Sequence, residues 1–290
     1  MALPVVLGIL AGGVIDYFIP DEYFSKHLAL QKKRTIFYAV GLGFLASACS
    51  HGVIALAAEL HKKGASGPAV VTFLLASPWA SLPITFLLLG FFGLKAFLII
   101  LGALFVALST GFTMQLLDQR GWIEKNRHTL EVAKDYSLSK DLGARFKESA
   151  TGAGFKKAVS GILKASWELS DMVLHWIIVG MILAGLAGAL VPQGIFENYF
   201  GPTLLGLLIT LVVAAVVEVC SEGTAPLAFE IYRQGGAFGN AFAFLMGGVI
   251  TDYTEIAVIW TRLGPRTALW MIALTLPQVV LLGWLLNRLF

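Results

Sequence analysis

The sequence predicts an all-α polytopic membrane protein built from two inverted repeats, each with three spans and a re-entrant helical hairpin. Three observations carry this. First, 57% of the 290 residues are hydrophobic, only 13% are charged, and the mean hydropathy is +0.79, whereas a soluble domain carries about 25% charge. Apolar runs of about 20 residues suit helices rather than barrel strands. Second, a 17-residue stretch at 48–64, ACSHGVIALAAELHKKG, returns at 219–236 as VCSEGTAPLAFEIYRQGG. Cys49, Ser50, Gly52, Leu56, Ala57, Glu59 and Gly64 meet Cys220, Ser221, Gly223, Leu227, Ala228, Glu230 and Gly235 at an offset of 171, so the only two cysteines occupy one place in two copies of a unit. Third, the lysines and arginines fall in places that constrain the topology.

In chain order, 2–19 is a short glycine-rich span closed by Pro20, and it lacks the basic start and small-residue cleavage site of a signal peptide. Residues 21–33 are interfacial, and 35–49 run apolar into the polar knot Ser50-His51-Gly52. The stretch 68–91 is interrupted by SPWASLP, where Pro78 and Pro83 each remove a helical hydrogen bond. Residues 93–117 form an uninterrupted span. From 118 to about 164 lies a soluble loop with about ten Lys and Arg, whose last part reads as an amphipathic helix on the membrane surface. The second half then offers 174–191 ending at Pro192, 203–219 into Cys220, a short helix at 224–233, a long span 237–261 interrupted by GGVITDYTE, and 268–287. The domain division is therefore 1–117, first membrane repeat; 118–168, cytoplasmic loop; and 169–290, second membrane repeat.

Charge placement decides between two topologies. With the Lys-rich loop cytoplasmic, a model in which 34–63 cross the membrane puts Lys26, Lys32, Lys33, Arg34, Arg262 and Arg266 outside. A model in which 34–63 enter and turn back puts all six inside and leaves only Lys95, Arg233 and Arg288 outside. The second obeys the positive-inside rule. Residues 35–49 would also rise about 22 Å as helix, short of a hydrocarbon core of about 30 Å.

Irregular backbone at membrane depth is tolerated only where it is buried in protein or lines a cavity, and ionisable groups there are expected to be functional. The knots therefore supply the candidate substrate contacts: Cys49, Ser50 and His51 in one, Cys220, Ser221 and Glu222 in the other, with Ser77 and Thr251 from the interrupted spans. Asp252, Glu255 and Glu218 are candidates for proton coupling, Asp252 and Glu255 being three apart on one face of any helix that contains both. Cys49, His51, Cys220 and Glu222 could together suit a borderline metal such as zinc. Against this stand plainer roles. A cysteine in an apolar run is commonly a small core residue, His51 could satisfy hairpin carbonyls, and Glu59 and Glu230 could pair with Lys62 and Arg233. Trp122, Trp176, Trp270 and Trp284 fit an interfacial belt.

The order cysteine knot, Leu56-Ala57, Lys62, Gly64-Ala65-Ser66, Phe73-Leu74-Leu75-Ala76 and Pro78 resembles the predicted permeases with the domain of unknown function 318, the ArsP- and YraQ-like permeases. Cys220-Ser221, Gly223, Pro226-Leu227, Arg233 and Gly235 carry the resemblance in the second half. It implies a permease and, from its organoarsenical members, efflux. The family's knot has a second cysteine where this chain has His51 and Glu222, so a two-thiol grip within one knot is absent.

The expected function is a secondary transporter of a soft, thiol-reactive solute, such as a trivalent organoarsenical or a metal ion, in the cell's inner (plasma) membrane. A sulfur-containing anion bound at helix N-termini is the alternative. An intramembrane thiol enzyme using Cys49 and His51 is disfavoured, since the second copy has no histidine. No cofactor is expected, and the chain has no G-x-x-x-x-G-K-[ST] motif for ATP. Expected partners are the bilayer and a small solute or metal ion, not nucleic acid. A homodimer or a cytosolic partner through 118–168 stays open.

Overall fold

The computed structural model describes residues 10, 33–45, 50–62, 64–126, 152–190, 192–217 and 221–290, and the described residues are helical with short connections. The first half holds α1 (Lys33–Leu45), α2 (Ser50–Lys62), α3 (Gly67–Ala80), α4 (Leu82–Phe92), a 3-10 turn at Gly93–Lys95, and α5 (Ala96–Gln119). The second holds α6 (Gly152–Leu190), α7 (Gln193–Tyr199), α8 (Leu204–Val216), α9 (Ser221–Gly235), α10 (Phe238–Thr251), α11 (Tyr253–Arg262) and α12 (Pro265–Leu289).

The sequence repeat recurs in the helix bounds. α1 and α8 cover 33–45 and 204–216, and α3 and α10 cover 67–80 and 238–251, each pair 171 apart at both ends. α2 and α9 begin at 50 and 221, and α4 and α11 at 82 and 253, again 171 apart. Packing repeats too: α1 lies on α3 and α3 on α5, as α8 lies on α10 and α10 on α12. Between halves the contacts are reciprocal, α2 against α11 and α9 against α4.

α3 and α10 are central. Ala69, Val70, Val71, Phe73, Leu74, Leu75, Ala76 and Trp79 are buried, as is every residue from Phe238 to Gly247. A helix apolar on all faces belongs in the middle of a bundle. Close approach is set by glycine: a Cβ on Gly111 of α5 would lie 2.0 Å from Thr72 Oγ1 of α3 and 2.9 Å from Ile36 Cγ2 of α1. Such small-residue contacts bring membrane helices together where lipid removes the hydrophobic drive.

Two ends can be told apart by what meets there. At one, Asn126 Nδ2 donates to the carbonyls of His61 (2.6 Å) and Ala65 (2.8 Å). Trp122 meets Trp270 at a 5.8 Å centroid separation, and the Glu124 carboxylate accepts from the N–H groups of Arg266 (3.0 Å) and Thr267 (2.9 Å) and from the Thr267 hydroxyl (2.9 Å). Burial alone would raise the Glu124 carboxyl's pKa, but these hydrogen bonds outweigh it and hold the group below the usual carboxylate range. At the other end Lys95 Nζ donates to the Tyr232 hydroxyl (2.7 Å) and lies over the rings of Tyr232, Phe238 and Phe290. There too Asn240 Nδ2 donates to the carbonyls of Phe200 (2.8 Å) and Gly201 (2.9 Å). α3 thus starts at the Glu124 end and its counterpart α10 at the Lys95 end.

Two readings of the sequence change. The amphipathic stretch and the span after it are one continuous helix, α6, so the boundary at 168/169 falls inside a helix. Asp252 and Glu255 are not two turns of one uninterrupted span: Asp252 is the N-cap of α11 and Glu255 lies in its first turn. By length and composition two described helical stretches can cross a membrane, 82–119 and Pro265–Leu289, or three if α10 and α11, bent by 40° at their junction, count as one.

Candidate functional site at the helix breaks

Fourteen-residue helices α3 and α10 rise about 21 Å. Their ends at Ser81 and Asp252 therefore lie well inside a hydrocarbon core of about 30 Å if each helix starts at its surface. The two breaks occupy equivalent positions, 171 apart. Each has a sequence cause. Pro78 inside α3 leaves the Leu74 carbonyl without a helical donor, and Pro83 occupies the first turn of α4. In the second half the stop is made by a cap: Asp252 Oδ1 accepts from the N–H groups of Thr254 (2.7 Å) and Glu255 (3.2 Å) and from the Thr254 hydroxyl (2.6 Å). Asp-x-x-Glu is the sequence form of a capping box, so this carboxylate is committed to the backbone.

Glu255 differs. Its side chain is only 2% exposed, and Oε1 is buried with no hydrogen-bond partner among the described residues. It sits on α11, which packs against α2, the helix that begins at the first knot. A carboxylate so placed must be accompanied by a proton or a counter-ion. Thr251 returns its hydroxyl to the Gly247 carbonyl at 2.7 Å, and Ser77 donates to the Gly43 carbonyl at 3.3 Å, tying α1 to α3.

The start of α9 is buried as well. Ser221, Glu222 and Thr224 are 4%, 5% and 3% exposed. The Ser221 hydroxyl donates to Glu222 Oε2 at 3.1 Å, and Thr224 donates to the Ser221 carbonyl at 2.9 Å. The Thr224 methyl lies 4.0 Å from where a Cβ on Gly248 would stand, one turn before the Asp252 break. The second knot and the second break are thus adjacent. Glu230 pairs with Arg233 through contacts of 2.5 and 2.9 Å, the plain ion pair expected from their spacing.

Cys49, Cys220 and Glu218 lie outside the described residues, and Ser50 and His51 are described only as the first backbone turn of α2. Of the possible metal set, Glu222 alone has a described side chain, and among the described residues no group of three or more His, Cys, Asp or Glu is placed to hold a metal. Gln278 is a polar residue that sequence reasoning passed over. It donates to Thr110 Oγ1 at 3.1 Å and accepts from Ser109, joining α12 to α5 near the middle of both. A glutamine inside an apolar span was the available signal.

The whole-chain comparison decides the family: the family model described as predicted permease, of the ArsP type, matches residues 1–288. The chain belongs to this permease family. It is 27% identical over 280 residues to "Putative permease Rv2963" of Mycobacterium tuberculosis, covering 89% of this chain and 66% of that protein. It is 23% identical over 262 residues to "Putative two-component membrane permease complex subunit" of Streptococcus mutans, covering 89% and 82%. A third relative, UPF0718 protein YcgR of Bacillus subtilis, is 23% identical over 289 residues, covering 99% and 93%. No solved structure matches the chain. Family and apolar helices together make this a membrane protein of a permease family.

Proposed function

We propose that this permease is a secondary transporter of the inner (plasma) membrane whose substrate path runs between two re-entrant hairpins, α1–α2 and α8–α9, entering from opposite faces. The observation that carries this is the repeat of helix bounds and breaks at one offset, with α3 and α10 starting at opposite ends. Further support comes from direction. Gly111 brings Ile36 near the start of α1 beside Thr72 near the start of α3, and Gly43 farther along α1 lies by Ser77 farther along α3. α1 and α3 therefore run alongside each other in the same sense. In this reading α2 returns to the end where α1 began, which is supported by the Gly64 and Ala65 N–H groups bonding back to the last turn of α2 just before α3 starts. With 118–168 cytoplasmic by its positive charge, the Glu124 end is cytoplasmic and the Lys95 end is outside.

In this reading Cys49 and Cys220 are the primary contacts for a soft, thiol-reactive solute such as a trivalent organoarsenical or a metal ion, moved outward. Ser50, His51, Ser221, Glu222, Ser77 and Thr251 complete the path. Glu255 is the coupling group best supported by its surroundings, with Glu218 a second candidate and Asp252 fixing the break beside it. A sulfur-containing anion is the second reading, favoured by the buried N-terminus of α9. The name of the Streptococcus relative supports a second subunit as a partner. Flux in proteoliposomes tests the site: Cys49→Ala and Cys220→Ala should each abolish arsenical or zinc movement while protein remains in the membrane. Unchanged flux in both removes the thiol contacts, and competition by thiosulfate alone selects the anion.

A further inference from the structure

We infer that the cytoplasmic end carries a binding site for an anionic phospholipid, formed where α5 ends and α12 begins. A cavity of about 520 Å³ opens there, lined by Gly121, Trp122, Arg266, Leu269, Trp270 and Ala273. Its lining has three chemical parts in the order a lipid presents them. Arg266 is exposed at the first turn of α12, where the span meets the surface. Trp122, 50% exposed, and Trp270 stand beside it with their rings 5.8 Å apart, at the level where indoles favour the headgroup boundary. Leu269, 55% exposed, and Ala273, one turn deeper, continue as an apolar wall toward the bilayer centre.

Charge selects the ligand. Arg120 directly precedes Gly121 and Trp122 of the lining, and Arg262 closes α11 just before α12; both are exposed. Two carboxylates lie nearby and neither is in the lining: Asp118, on the last turn of α5 with Lys125 as its charged neighbour, and Glu124, held by the Arg266 and Thr267 N–H groups. That contact also occupies the N-terminus of α12, so the ligand's phosphate is left to guanidinium groups. Basic pockets between spans on the cytoplasmic side are where anionic headgroups bind, and the net charge of the headgroup is what such a pocket reads. The site rests on the proposed topology only for its cytoplasmic label.

Native mass spectrometry of the detergent-purified chain tests it, with phosphatidylglycerol and phosphatidylcholine of identical acyl chains. Phosphatidylglycerol should be retained with a preference that Arg266→Gln lowers about fivefold, the effect of roughly one surface charge, and that Arg266→Lys keeps. Trp122→Ala should weaken both lipids. Equal retention of the two lipids, or a preference unchanged in Arg266→Gln, overturns the inference. So does complete displacement by millimolar inorganic phosphate, which would make the site one for a free anion. A melting curve for each variant separates lost binding from lost folding. The result does not depend on sidedness, so it can fail while the hairpin topology stands, and the converse.

Discussion

Replacing Glu124 with alanine removes a cap that one half of the chain supplies to the other. The carboxylate accepts three hydrogen bonds at the first turn of α12, from two backbone N–H groups and the Thr267 hydroxyl. Loss of a capping side chain costs about 1 kcal/mol, and a hydrogen bond to a charged group contributes about 1.5–3 kcal/mol. Arg266 is exposed and its N–H can turn to water, so the sum falls toward the low side, about 2 kcal/mol. At roughly 2–4 °C per kcal/mol for chains of a few hundred residues, the midpoint of a detergent melt should fall by about 5 °C. Glu124→Gln, which keeps an acceptor without the charge, should lose about half as much. The pH dependence has a definite sign. The folded carboxyl lies below its usual value, so its stabilisation is whole at neutral pH and is lost as pH falls through the folded value; the glutamine variant lacks that part of the acid loss. An alanine variant that melts with the wild type and shares its acid profile would refute the reasoning.

Gly111→Ala puts a methyl 2.0 Å from Thr72 Oγ1 and should destabilise by about 1–3 kcal/mol through overpacking; Thr72→Ala in the same chain should recover part of the loss, as read by melting. Asn240→Ala strands the carbonyls of Phe200 and Gly201 and the Asn287 amide, and should cost about 1–3 kcal/mol without altering substrate selectivity in the flux assay. Glu255→Gln removes a buried carboxylate whose Oε1 has no partner among the described residues. It should leave the melt unchanged or higher and abolish pH-dependent flux; pH-dependent flux at wild-type level would exclude Glu255 as the coupling group.

Much of the architecture was legible because the membrane restricts the choices. Apolar runs can only be helices or barrel strands, and a chain that repeats Cys-Ser-x-Gly at one offset repeats its helix bounds at that offset. Pro78 and Pro83 announced the first break. The second is visible as polar residues in an apolar span, and its cause is legible too, in a pattern that the helical-spacing reading does not use: a cap, Asp252, followed three residues later by glutamate is a start signal. Glu124, Lys95 and Gln278 escaped because their partners, Thr267, Tyr232 and Thr110, lie 143, 137 and 168 residues away, and no local pattern encodes such pairings. The continuity of α6 was hidden for another reason. A polar, amphipathic segment joins an apolar one with no proline or glycine pair at the junction around 168, and composition changes there while the backbone does not.

The central claim is that each hairpin begins and ends at one face, the two hairpins at opposite faces. Single cysteines at positions 33, 62, 204 and 233, placed in a chain carrying Cys49→Ser and Cys220→Ser, can be labelled in oriented vesicles with a membrane-impermeant maleimide. The account predicts that 33 and 62 label from the cytoplasmic side only, and 204 and 233 from the outside only. Labelling of 33 and 62 from opposite sides, or of all four from one side, would contradict it.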